Sequence, residues 1–190
     1  MNLTPQQDAA TGQLVDLIAA KIGNNRAIQP ETAIATCARL AGSLMLRSFN
    51  FQLSNLKEGS VILSAEANEK TQLLAQVLGG FLSKVGLTLD QSKLGGAEQQ
   101  RGQPPNLNTI ASLSLIQSDA LKICTLNGLS MEQAAYSAAV ATAFIVKECA
   151  PQIGVETGFN VAAFGFVEGC KTVPPLLQSQ QASKPWYKLW

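Results

Sequence analysis

The chain has 190 residues, 46% of them hydrophobic and only 14% charged, and its 14 Lys and Arg against 13 Asp and Glu leave a formal net charge of +1. That length buries a sizeable core without disulfide or metal staples, and the scattered basic residues lack the electrostatic footprint of a nucleic-acid binder. No histidine occurs, which removes Ser-His-Asp and Cys-His nucleophile systems, the common zinc sites and His-ligated haem, and leaves Asp, Glu, Lys, Tyr or Cys for any proton transfer.

The first segment, Met1 to Gln7, is polar and lacks the basic-then-apolar order of a secretory signal. A cytoplasmic protein is therefore expected, with Cys37, Cys124, Cys149 and Cys170 as reduced thiols, since none lies in a C-x-x-C pair. A first helix opens at Thr4, with Pro5 in the first helical position and Gln7 placed to close a capping box. Leu14, Leu17, Ile18 and Ile22 recur at helical spacing, and Gly23 is a natural stop.

A second helix runs from Pro30 to about Arg47, with Ile34, Cys37, Ala38, Ala41, Leu44 and Met45 on its apolar face. Glu31, Arg39, Ser43 and Arg47 fall on another face. Two arginines eight apart on one stripe could grip an anion; the plainer reading is a solvated face. Phe49 to Ser54 then alternates apolar and polar, Asn55 to Gly59 is turn-like, and Val61-Ile62-Leu63 follows, so a small β-hairpin is expected across 49–64, with an irregular connector as the competing reading.

A third helix is expected from Ser64 or Ala65 to about Val85, with Leu73, Leu74, Val77, Leu78, Phe81 and Leu82 in its stripe. Gly79 and Gly80 sit inside it, and close packing against another backbone would explain them. Leu87-Thr88-Leu89 suggests a short strand. From Asp90 to Asn106 the chain is polar and rich in Gly and Pro, longer than most connections in a compact domain, and so either a lid or a plain linker.

A fourth helix covers about Leu107 to Leu126. Ser130 and Gln133 form the capping box of a fifth, whose alanines permit close approach and point to a central position, and which Pro151 should stop. Its uncharged stretch from Gln133 to Val146 is 14 residues, short of the roughly 20 that a membrane span needs. A sixth helix lies around 156–171, where Gly165 and Gly169 stand four apart beside Phe159, Phe164 and Phe166. Asn160 is the polar residue in this apolar run that would face a pocket, or else sit as a satisfied core amide.

The expected architecture is mainly α, a compact multi-helix bundle of about six helices forming a domain over 1–175, followed by an aromatic C-terminal tail over 176–190. The tail carries both tryptophans, Trp186 and Trp190, with Tyr187, which are favoured interface anchors. Low charge, Ala- and Gly-rich helix faces and this tail point to a non-enzymatic, homo-oligomeric protein-interaction module, partnered by itself or by another protein through the tail. No catalytic residue, metal site, cofactor, nucleic-acid partner or transmembrane segment is read. The alternative is a small-molecule-binding protein or an enzyme with a pocket near helix 156–171, the 90–106 loop as lid, and Arg39, Arg47, Asn160 and Glu168 as its ligand-binding residues.

Overall fold

A computed structural model describes residues 3–23, 29–49, 51–95 and 97–177. Among them are six α-helices: α1 (Pro5–Ile22), α2 (Pro30–Ser48), α3 (Ala65–Lys84), α4 (Thr109–Leu126), α5 (Met131–Ile153) and α6 (Val155–Lys171). The protein is mainly helical, as its apolar periodicity dictates. Both capping boxes form, Thr4 with Gln7 at α1 and Ser130 with Gln133 at α5, and Ser64 and Asn108 cap α3 and α4 through side-chain oxygens. Helix α5 runs through Pro151 to Ile153 rather than stopping at it.

Burial places α2, not α5, at the centre. Every residue from Glu31 to Leu46 is buried, enclosed chiefly by α6 and α5, with α4, α1 and α3 closing the remaining sides. The solvated face expected for α2 therefore does not exist: Glu31, Arg39 and Ser43 lie inside and Arg47 is half-buried. An α-helix tolerates this position because it satisfies its own backbone, and its polar side chains find partners, as when the Thr36 hydroxyl donates to Ser112 Oγ at 3.3 Å. Around α2 the core is filled by Leu14 and Ile18 of α1, Leu74, Leu78 and Leu82 of α3, Ile116 of α4, Val146 of α5 and Phe166 of α6.

The hairpin expected at 49–64 is absent, and no strand occurs among the described residues. Phe49 and Phe51 instead turn into the helical core, their rings edge to face at 5.6 Å, and a short 3₁₀ turn follows at Leu53–Asn55. The backbone of 59–62 pairs not with 49–54 but with the segment leaving α6, through one antiparallel bridge between Val61 and Thr172. Gly59 N donates to Val173 O at 2.9 Å, Val173 N to Ser60 O at 2.9 Å and Ile62 N to Lys171 O at 2.7 Å. Aromatic burial against helices and a nearer backbone partner outweigh the local alternation. Leu87 and Leu89 likewise pack singly on the core and form no strand.

Close backbone packing occurs where α2 crosses α6, not at Gly79 and Gly80. A Cβ at Gly80 would meet nothing within 4 Å, and one at Gly79 only a carbon of the Phe159 ring at 3.6 Å. A Cβ at Gly42 would instead strike the Phe166 carbonyl oxygen, and one at Gly169 the Arg39 carbonyl oxygen. The glycines of 165 and 169 thus let α6 lie directly on the α2 backbone.

Candidate functional site

The same crossing that demands Gly169 brings its neighbour Glu168 to Arg39. Arg39 Nε donates to Glu168 Oε2 at 2.9 Å, with the arginine side chain 6% and the carboxylate 26% exposed. Arg39 Nη1 donates onward to the Leu107 carbonyl at 2.5 Å and to Ser112 Oγ at 3.1 Å. A buried guanidinium is tolerable when its charge is matched and its donors are accepted; here Glu168 matches the charge, and Nε and Nη1 both find acceptors.

The 85–108 connection folds over this pair and is fastened by side chains of α2 and α6. From α2, Glu31 Oε1 accepts from Gln103 N at 3.1 Å, Thr32 Oγ1 accepts from Asn106 N at 2.8 Å, and Arg39 reaches Leu107. From α6, Glu156 Oε1 accepts from Asp90 N at 3.1 Å. Asn160 uses its whole amide: Nδ2 donates to Lys93 O at 2.9 Å and to Gln100 O at 3.0 Å, while Oδ1 accepts from Gly95 N at 3.0 Å. Gly102 is required where the loop meets α2 and α6, since its φ is +71° and a Cβ there would press on Glu31 Oε1 and Thr157 Cγ2.

Between this loop and the two helices lies a recess of about 110 Å³. Ala35, Val161, Phe164, Pro104 and Pro105 give it apolar walls; Arg39 and Glu168 lie at its base and Glu98 and Arg101 come from the loop. The Arg101 guanidinium carbon sits 3.9 Å above the centre of the Phe164 ring, a cation–π contact. Among the described residues, Arg101 Nε is buried and makes no hydrogen bond. A second hollow, of about 380 Å³, is open and lined by polar and apolar surface in equal measure, and lies beyond Asn160 against the first turn of α6, with Lys93, Glu156 and Thr157 on its rim.

Of the residues singled out from sequence, Arg39 and Glu168 line the recess and touch each other. Asn160 does not line it, but pins the loop from the side of the second hollow. Arg47 stands two turns along α2 from Arg39, where its Nη2 donates to Gln117 Oε1 at 2.9 Å, and Gln117 in turn donates to Pro175 O at 2.9 Å. Burial holds the Arg47 pKa below the ordinary guanidinium value. Trp186, Tyr187 and Trp190 lie outside the described residues.

Sequence reasoning missed Arg101 and the buried role of Glu31. The signal for Arg101 was slight: it is the sole charged residue between Glu98 and Asp119. All four cysteines are unpaired thiols. Burial pushes Cys37 up to about 12 and Cys124 up to about 11, so both stay protonated near neutrality. Among the described residues no group of three or more Cys, Asp or Glu is placed to hold a metal ion. No single helix described is long and apolar enough to cross a membrane, and α4 with α5 reaches that test only as a pair bent by 114°. Compared with protein-family models, with curated proteins and with solved structures, the chain matches none.

Proposed function

We propose that this protein binds a small molecule in the recess between α2, α6 and the 85–108 loop. The observation that carries the reading is the roof. A long, irregular segment is held over an apolar recess by buried side chains of two helices, Glu31, Thr32 and Asn160 among them. A segment so tied closes a concave, mostly apolar space with a few polar groups, which is the usual form of a ligand site. The recess walls carry carboxylates, guanidiniums and apolar groups, a composition suited to binding.

The test is a fragment screen by methyl-detected NMR on the full chain, using short branched and single-ring compounds of neutral, acidic and basic character. Binding should move the methyl signals of Ala35 and Val161, and Val161→Phe, which fills the recess, should remove the response. If no fragment moves those methyls, the recess is not a binding site.

A second reading, self-association, is favoured by a different observation. Val61 and Leu63 are 70% and 85% exposed on one short segment, and Leu126 is 86% exposed at the end of α4. Apolar surface of this kind is suited to a second copy of the chain, to which the aromatic tail would add Trp186, Tyr187 and Trp190. Sedimentation of the full chain and of a 1–175 truncation tests it. A monomer at all concentrations, unaffected by Val61→Ser or by loss of the tail, would end this reading.

A further inference from the structure

Resting on the binding reading above, we infer that the ligand of the recess is a small monocarboxylate with a short apolar body, its carboxylate held by Arg101. The two cations at the recess differ in one respect. Arg39 is matched by Glu168 and donates to Leu107 and Ser112 as well. Among the described residues no carboxylate forms an ion pair with Arg101 within 4 Å, and its Nε is buried without an acceptor. An unmatched charge in partly apolar surroundings is costly to hold, and an arriving anion matches it through the guanidinium's Nη donors, Nε itself having no exposed surface.

The chemistry of the cation selects the kind of anion. The Arg101 guanidinium carbon lies 3.9 Å over the centre of the Phe164 ring, and a guanidinium's planar donors form the two-pronged contact that a carboxylate matches. Glu98 and Glu168 also border the recess, so a dianion meets about twice the repulsion that a monoanion does. Ala35, Val161 and Pro105 receive the rest of the molecule, and a recess of about 110 Å³ is somewhat smaller than the ~150 Å³ cavity that takes a benzene. The apolar body is therefore a short branched chain or a single small ring.

The experiment titrates the full chain with 3-methylbutanoate, its amide and 3-methylbutylamine, three compounds with nearly one shape and different charge. Methyl spectra and the Arg101 Nε–H signal are the readouts. The acid should move the Val161 methyls and the Arg101 Nε–H together, and should bind about tenfold more tightly than the amide, the yield of one charge-assisted contact. Arg101→Gln should weaken the acid by a similar factor and leave the amide unchanged, while Arg101→Lys should retain part of the preference. Amide or amine binding as tightly as the acid, or acid binding that ignores Arg101→Gln, overturns the assignment of a carboxylate ligand and leaves the recess as a binding site. Silence from all three compounds, and from the wider fragment screen, overturns both.

Discussion

The α2/α6 crossing and the 85–108 loop share one recess, and different physics holds each of them. At the crossing, Gly42, Gly165 and Gly169 bring two helix backbones into direct contact, with no room for even a methyl group. In the loop, irregular backbone is held by individual side-chain hydrogen bonds from Glu31, Thr32, Glu156 and Asn160. The first region is bound by van der Waals contact distributed over a surface, and it fails as a whole when one atom is added. The second is bound by separable polar contacts and can loosen one tie at a time. A site built from both has a fixed base, where Arg39 and Glu168 meet, and a roof whose opening need not disturb that base.

The largest effect expected is at the crossing. Gly169→Ala places a Cβ against the Arg39 carbonyl and should destabilise the fold by about 3 kcal/mol, the upper range for overpacking a tight interior. Urea denaturation measures it, and a loss below ~0.5 kcal/mol would break the contrast drawn above. Next comes the loop. Asn160→Ala removes three part-buried hydrogen bonds and should lower stability by about 2 kcal/mol, with amide exchange quickening over 91–100 far more than in α2. Uniform quickening of both would mean that roof and base unfold as one unit.

A smaller effect, of opposite sign, sharpens the glycine argument. Gly80 lies inside α3 with open space where a Cβ would go, so Gly80→Ala should raise stability by about 0.5–1 kcal/mol through helix propensity alone. The smallest effect is one of pH. The Asp90 backbone N–H, and the residue's own N–H, hold the Glu156 carboxyl below its ordinary value of 4.5. A group with a depressed folded-state pKa contributes stability above its ordinary value and loses it as pH falls through the lowered one. Amide exchange over 90–93 should therefore quicken in that acid window, and Glu156→Gln should flatten the response.

The sequence was most informative where structure depends on neighbours a few residues apart. Thr4 with Gln7, and Ser130 with Gln133, specify helix starts through contacts within one turn, and the apolar spacing of Leu74, Leu78 and Leu82 specifies the buried stripe of α3. Arg39, Glu168 and a lid from the 90–106 loop could be singled out, because charged residues in apolar helices and a long Gly- and Pro-rich connection are visible without a fold. Their meeting was not visible. Arg39 and Glu168 are 129 residues apart, and only the glycine crossing sets their separation.

The sequence by itself thus determined the helical class, most helix boundaries and the residue types at hand for a site, since these follow from short-range hydrogen bonding and apolar period. Only the tertiary structure decided that α2, rather than the alanine-rich α5, is enclosed on every side, that 59–62 pairs with 171–173, and that Arg101 lies on Phe164 with an unmet donor. Those outcomes depend on which surfaces fit together in three dimensions, and no local pattern along the chain encodes that fit.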